Sequence, residues 1–437
     1  MKTKVIRGGW VLTMAEGKAP IKDGMVKIVG EKIAAVAPWK DQQLDPDWEL
    51  VDASDSIIMP GLVNTHTHAA MVLFRNFADD LPLMAWLQEK IWPLEENLTA
   101  EDVYWGTRLA INEMLLSGTT TFADMYFFQD EVAQATEESG IRAVLSRGLI
   151  GVNPQAEKNL AEAVEQAKKW RGKGEGRIQM MLAPHAPYTC PPDFLKEVVA
   201  AARHYQLGIH IHLSETRDEL EQIGRSYGKR PVAYLAEQGI FSRPVLAAHG
   251  VWLDDAEISY LSRQKVGVAH NPSSNMKLAS GIAPVVKMLT AKIPVGLGTD
   301  GAASNNRLDM FTEMRTAALL HKLATEEPTA LTAETALRMA TIEGARALGL
   351  EEQIGSLEQG KKADLIRISL HKSHLTPCHN PVALLVYTVR GGDVTGVMVN
   401  GEWLVEDGKI LKGDEEEVCR ETGKRAEALR EMSIKPR

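Results

Sequence analysis

The chain has 437 residues, 44% hydrophobic and 24% charged, the make-up of an ordinary folded protein rather than a disordered or membrane-embedded one. That length accommodates one large α/β barrel of about 250 residues with a smaller appended unit. A formal net charge of -9 speaks against a nucleic-acid partner, which draws on clustered Lys and Arg, and no apolar run reaches the roughly 18 residues of a membrane span.

From the N-terminus, the stretch 1–14 is broken by Gly8 and Gly9 before a signal-type apolar core develops. Short β-type runs lie at 4–6, 25–29 and 32–36, punctuated by Gly24 and Gly30. The C-terminal end returns to this style at 364–368, 396–399 and 402–405, with an Asn400-Gly401 hairpin turn between the last two. Both ends are expected to pair into one β-sandwich, residues 1–58 giving its N-terminal part and 361–437 its C-terminal part plus a terminal helix.

Between them, residues 59–360 alternate short apolar runs with helical stretches, the signature of βα repeats around a parallel sheet. Eight runs are expected as barrel strands, at 57–64, 119–124, 141–147, 178–183, 208–213, 245–249, 266–270 and 295–299. One intervening helix opens at Thr99, with Asp102 three residues on and Leu98 and Val103 placed as a staple. The aromatics and Pro93 of 86–96 suggest a loop or short helices over the barrel mouth. Cys190, Cys378 and Cys419 form neither a CxxC pair nor an even set, and read as reduced thiols of a cytoplasmic protein.

A βα barrel carries its chemistry at the C-terminal ends of the strands. His66 and His68 end the first run, Arg147 the third, His212 and Glu215 the fifth, His249 the sixth, His270 the seventh and Asp300 the eighth, with His185 just past the fourth. His66 and His68, two apart, share one face of an extended strand. Of His210 and His212, the latter is nearer the strand end and is the better ligand, while His210 suits a hydrogen-bonded place inside the barrel. His66, His68, His212 and Asp300 make a borderline ligand set suited to Zn²⁺, with a position left for water.

The segment Pro60-Gly61-Leu62-Val63-Asn64-Thr65-His66-Thr67-His68 resembles the first-strand motif of the amidohydrolase superfamily. The likeness extends through His210-Ile211-His212-Leu213-Ser214-Glu215-Thr216, Ala248-His249-Gly250 and Gly298-Thr299-Asp300-Gly301. Within it the chain is most similar to the 5'-methylthioadenosine/S-adenosylhomocysteine deaminases, through Trp92-Pro93-Leu94-Glu95, Ala183-Pro184-His185-Ala186-Pro187-Tyr188 and His270-Asn271-Pro272-Ser273-Ser274-Asn275.

The resemblance implies a (β/α)8 TIM barrel of the metallo-dependent hydrolase type, working as a homo-oligomer, dimer or tetramer. It implies one Zn²⁺ per subunit, because 177–187 lacks the lysine that bridges two metals in binuclear members. The implied reaction is hydrolytic deamination of a small nucleoside, 5'-methylthioadenosine or S-adenosylhomocysteine, with adenosine as a further candidate, releasing ammonia. Neither nucleic acid nor membrane is an expected partner. Asp300 would take the proton of the attacking water, His249 would hold the attacking oxygen, and Glu215 would shuttle a proton to N1 of the purine. Glu95 would accept from the ribose hydroxyls, His185 would contact ribose or purine, and Arg147 would meet a homocysteine carboxylate with its planar fork.

The other zinc deaminase signature, P-C-x-x-C, is absent, since Pro191-Pro192 follows Cys190. The rival readings are a guanine deaminase or chlorotriazine hydrolase of the same branch and, from another class, a catalytically silent scaffold. His270 and Asn275 are expected to shape the far wall of the site. His204, His321, His371, His374 and His379 are expected at the surface, and Met71, Met84 and Met125 in packing roles.

Overall fold

A computed structural model describes residues 3–40, 45 and 47–434; positions 1, 2, 41–44, 46 and 435–437, with the parts of the terminal expectations that fall on them, lie outside the described residues. The chain opens with β1 (Thr3–Val11), β2 (Ile21–Val29), β3 (Lys32–Pro38) and β4 (Trp48–Pro60). The barrel strands follow as β5 (Leu62–Thr67), β6 (Thr119–Tyr126), β7 (Arg142–Leu149), β8 (Ile178–Pro184), β9 (Gly208–Leu213), β10 (Val245–His249), β11 (Gly267–His270) and β12 (Val295–Leu297). Last come β13 (Leu365–Ser369), β14 (Val394–Val399), β15 (Glu402–Glu406) and β16 (Lys409–Ile410).

The terminal strands form one eight-stranded sheet in the order β16-β15-β14-β13-β4-β1-β2-β3. It folds over on itself as a sandwich, because Ile6, Ile28, Met398 and Trp403 share one apolar cluster. The turn between β14 and β15 thereby meets the turn between β2 and β3. A Cβ at Gly401 would lie 2.2 Å from the Gly30 carbonyl oxygen, and Lys4 Nζ donates to Gly401 O at 2.8 Å. Asn400 and Gly401 both have positive φ, 49° and 75°, as the tight hairpin demands.

The second sheet runs β5 to β12 with every neighbouring pair parallel, as continuous apolar runs buried on both faces require. It closes where β12 meets β5. Asp300 N donates to His66 O at 2.9 Å, Thr65 Oγ1 to Leu297 O at 2.9 Å and Thr299 N to Asn64 Oδ1 at 3.0 Å.

One expected strand is corrected: residues 57–60 belong to β4, not to the barrel. They pair with β13 in the register Ile57↔Ile368 to Pro60↔Leu365. The break comes at Gly61, where a Cβ would stand 2.0 Å from Thr120 Oγ1. Both halves of the run are buried, so hydrophobicity alone does not divide them. The helix Ala100–Leu116 opens as expected with a capping box, Asp102 N to Thr99 Oγ1 at 3.2 Å and Thr99 N to Asp102 Oδ2 at 2.9 Å. The C-terminal helix Glu415–Ile434 lies against it, with Arg425 Nη1 on Asp102 Oδ1 at 3.0 Å and Thr422 Oγ1 on Trp105 O at 3.0 Å.

Barrel and terminal sheet are joined by a buried ion pair. Arg142, at the start of β7, reaches Asp364 through Nε at 2.8 Å and Nη2 at 3.2 Å, and gives a further bond to Asn400 Oδ1 at 2.6 Å. Both charged side chains are 2% exposed. Removing one partner leaves the other charge buried and uncompensated, so Asp364→Ala is expected to cost about 3–5 kcal/mol of stability. Urea unfolding of both proteins checks this; a loss below about 1 kcal/mol would mean that water replaces the carboxylate.

Candidate metal centre and active-site cleft

The strand ends bring His66, His68, His212 and Asp300 together at the barrel mouth. His68 Nε2 lies 3.3 Å and His66 Nε2 3.5 Å from Asp300 Oδ1, and His212 Nε2 lies 3.3 Å from His68 Nε2. Two overlapping sets, His66/His68/Asp300 and His66/His212/His249, each hold their candidate ligand atoms within 4.8 Å of one another.

Hydrogen bonds on the far side of each ring decide what these nitrogens carry. His68 Nδ1 faces Met125 O and His212 Nδ1 faces His185 O at 2.7 Å, acceptors that oblige both Nδ1 atoms to hold the proton. For His66 a relay does the same. Ser146 Oγ donates to Asp124 O at 2.6 Å and so accepts from His210 Nδ1 at 3.2 Å, leaving His210 Nε2 to accept from His66 Nδ1 at 2.9 Å. All three Nε2 atoms therefore present lone pairs to one another. The His68–His212 contact has no proton to share, and the buried His66 Nε2 has no hydrogen-bond partner.

Lone pairs aimed at a common point across about 3.3 Å repel unless a cation lies between them. Three neutral imidazoles and a carboxylate suit Zn²⁺, and the residues present fit it. Burial pushes His66 down to about 4, which keeps it a neutral ligand. Burial works against ionisation of Asp300, yet the neighbouring imidazoles of His66, His249 and His68 hold its carboxyl well below the usual range. Ser274 Oγ at 2.6 Å and Ser304 Oγ at 3.0 Å bind Asp300 Oδ2, which leaves Oδ1 turned to the imidazoles.

Around this centre stand the other expected residues. His249 Nδ1 bonds Asn275 Oδ1 at 2.9 Å, and its Nε2 lies 3.8 Å from Glu215 Oε2. Burial opposes a charge on His249, but the Glu215 and Asp300 carboxylates outweigh it and raise its pKa; burial also raises that of Glu215. The segment over the mouth is helical, Leu83–Ala85, Trp86–Ile91 and Trp92–Glu95. It lowers Glu95 into the same cleft as His68, His185, His212, Glu215, His249 and Asp300. Tyr126 OH donates to Glu95 Oε1 at 2.9 Å, and withdrawal from water pushes the Glu95 carboxyl up to about 7. His185 Nδ1 is 3.1 Å from Thr189 Oγ1, and burial pushes its pKa down to about 3.

Arg147 is not brought to this cleft. Ser146 takes the inward place on β7, so Arg147 turns outward to Asn159 Oδ1 at 3.0 Å and Glu162 Oε2 at 3.1 Å, on an adjoining groove that shares Trp92, Glu95, Phe127 and Ile150 with the cleft. His321, expected at the surface, is 2% exposed and lies 3.1 Å from His270 Nε2. The phase of its helix, with Met314, Ala317 and Ala318 buried beside it, carries that signal. Tyr126 and Ser304 have no sequence signal of their own, and Ser274 has only its place in the 270–275 motif.

Residues 57–404 match the amidohydrolase family, and the chain belongs to that family of metal-dependent hydrolases. Among its relatives, a 5-methylthioadenosine/S-adenosylhomocysteine deaminase of Desulforudis audaxviator is 54% identical over 97% of this chain and 98% of its own length. A 5'-deoxyadenosine deaminase of Methanosarcina mazei is 51% identical over 97% and 98%. In structure the chain is similar to an adenosine deaminase of Xanthomonas campestris with bound zinc, at a TM-score of 0.94 and 37% identity, covering 98% of each chain.

The relay through His210 is expected to orient His66. His210→Leu should weaken zinc binding by about 10- to 100-fold, as loss of such outer partners does elsewhere. Competition with a chelator measures this; unchanged affinity would show that His66 needs no help from behind.

Proposed function

We propose that the chain hydrolytically deaminates adenine nucleosides, 5'-methylthioadenosine to 5'-methylthioinosine and S-adenosylhomocysteine to S-inosylhomocysteine, with release of ammonia. One Zn²⁺ per subunit would be held by His66, His68, His212 and Asp300. The observation that carries this reading is a single cleft with the imidazole cluster in its floor and the Glu95–Tyr126 pair on its wall. A hydroxyl-binding carboxylate at that place suits a ribose and is wasted on a free base. The names of the close relatives point the same way.

Zinc, when bound, supplies the Lewis acidity that lets water ionise near neutral pH. Asp300 turns Oδ1 toward the reacting water and is ready to accept its proton, because the two serines hold Oδ2. Glu215, whose hold on a proton burial strengthens, is placed to deliver one to N1 of the purine as electron density arrives there. His249, fixed through Nδ1 by Asn275, steadies the attacking oxygen with its opposite nitrogen. Glu95 has Oε1 on Tyr126 and offers Oε2 to the ribose. Arg147 enters only for a carboxylate tail, where its guanidinium must exchange Glu162 for the substrate.

The test is a panel of adenosine derivatives followed by ammonia release and by the change in ultraviolet absorbance from adenine to hypoxanthine; inertness toward all of them would overturn the reading. Glu95→Gln should lower kcat/KM on 5'-methylthioadenosine by roughly 10- to 100-fold, as expected for a lost charged hydrogen bond of about 1.5–3 kcal/mol. Full activity in that variant would favour a free-base or triazine substrate. Arg147→Met should raise KM for S-adenosylhomocysteine and leave that for 5'-methylthioadenosine unaltered.

A further inference from the structure

Glu215 leaves β9 along a backbone of unusual shape. Ser214 before it has φ 50°, the left-handed region that a non-glycine residue occupies only when its surroundings impose it. Glu219 binds the amides on both sides of Ser214. This carboxylate, 2% exposed, accepts the Ser214 amide on Oε1 and the Glu215 amide on Oε2, both at 2.8 Å.

Glu219 is the third residue of the helix Arg217–Tyr227, capped by Thr216, whose Oγ1 accepts from Glu219 N at 3.3 Å. A glutamate at that position ordinarily reaches back to the amide of the capping residue itself. Here it reaches one and two residues further, onto the strand exit. The opposite sides of the same two peptides are held from the turn after β10, since Trp252 N donates to Ser214 O at 2.9 Å and Gly250 N to Leu213 O at 3.0 Å.

The geometry points to Glu219 as a positioning residue for the reaction: by binding both amides it fixes the peptide from which Glu215 projects, and so sets that carboxyl over the cleft beside His249. The inference rests on the proton-shuttle role given to Glu215 above. Two converging donors need an acceptor on each oxygen. A carboxylate provides that, whereas an amide in its place turns an NH₂ group against one backbone N–H.

Glu219→Gln, Glu215→Gln and the double variant are to be compared in the zinc-loaded full chain with 5'-methylthioadenosine as probe. Glu219→Gln should lower kcat by about 100-fold, the scale of a misplacement near 1 Å. KM and bound zinc should stay within about twofold of the parent, a change worth less than about 0.5 kcal/mol. In the double variant the loss should equal that of Glu215→Gln alone, because a positioning residue has nothing left to position. A full kcat in Glu219→Gln, or losses that multiply in the double variant, would overturn the inference while leaving the function intact. A full rate in Glu215→Gln would instead remove the shuttle role and the inference with it. Should Glu219→Gln not fold, Glu219→Asp keeps both acceptors one methylene short; a kcat loss of about 10-fold or more supports the inference and an unchanged kcat overturns it.

Discussion

Each imidazole at the centre of the barrel has a single proton to place, and the fold draws all three protons away from the cleft. The Met125 and His185 carbonyls hold those of His68 and His212, and the Ser146–His210 relay holds that of His66. Bare nitrogens then face one another inside a buried space, an arrangement that costs energy by itself and loses that cost when a cation arrives. The candidate metal centre is thus defined less by the imidazoles themselves than by acceptors one layer behind them. Two of those are main-chain carbonyls, supplied by β6 and by the exit of β8. The ligand geometry therefore depends on the register of the barrel and not on flexible side chains.

Closure of the barrel adds the fourth candidate ligand. Asp300 follows the last strand and His66 lies on the first, and the bond from Asp300 N to His66 O places them side by side. Asp300, with φ 61°, and His249, with φ 73°, both occupy the left-handed region at their strand ends, as Ser214 does. All three lie at or beside residues proposed to handle water or a proton, while fourteen other described non-glycine residues share positive φ elsewhere in the fold. Serines on the back of Asp300 and amides on Glu219 are the local bonds that hold such directions.

Much of this was readable in sequence, for definite reasons. Parallel strands buried on both faces leave continuous apolar runs, so all eight barrel strands are visible, and a polar residue ending such a run is conspicuous. His66, His68, His212 and Asp300 stand out for that reason. The same logic is blind to face: Arg147 ends its run like the others, yet alternation with Ser146 turns it outward. It is blind too to boundaries between two buried sheets, hence the misplacement of 57–60. The polarity of His321 suggests the surface, but the phase of its helix is the stronger signal. Tyr126 reaches Glu95 across 31 positions, whereas Ser304 and Glu219 act four or five positions away, on Asp300 and on backbone amides, in bonds that residue type alone does not announce.

Interleaving of the two chain ends has a consequence for how the molecule is made. β4 lies between β1 and β13, so its pairing is half complete until a strand synthesised after almost the whole barrel arrives. A nascent chain therefore carries an open apolar edge through most of its translation, the kind of edge that recruits other chains. The barrel begins at β5 with only Gly61 between, so a wrong partner on that edge would also disturb the strand bearing His66 and His68. Contacts of such long range are slow to form, and the yield of active protein depends on how well that edge is shielded while the ribosome finishes.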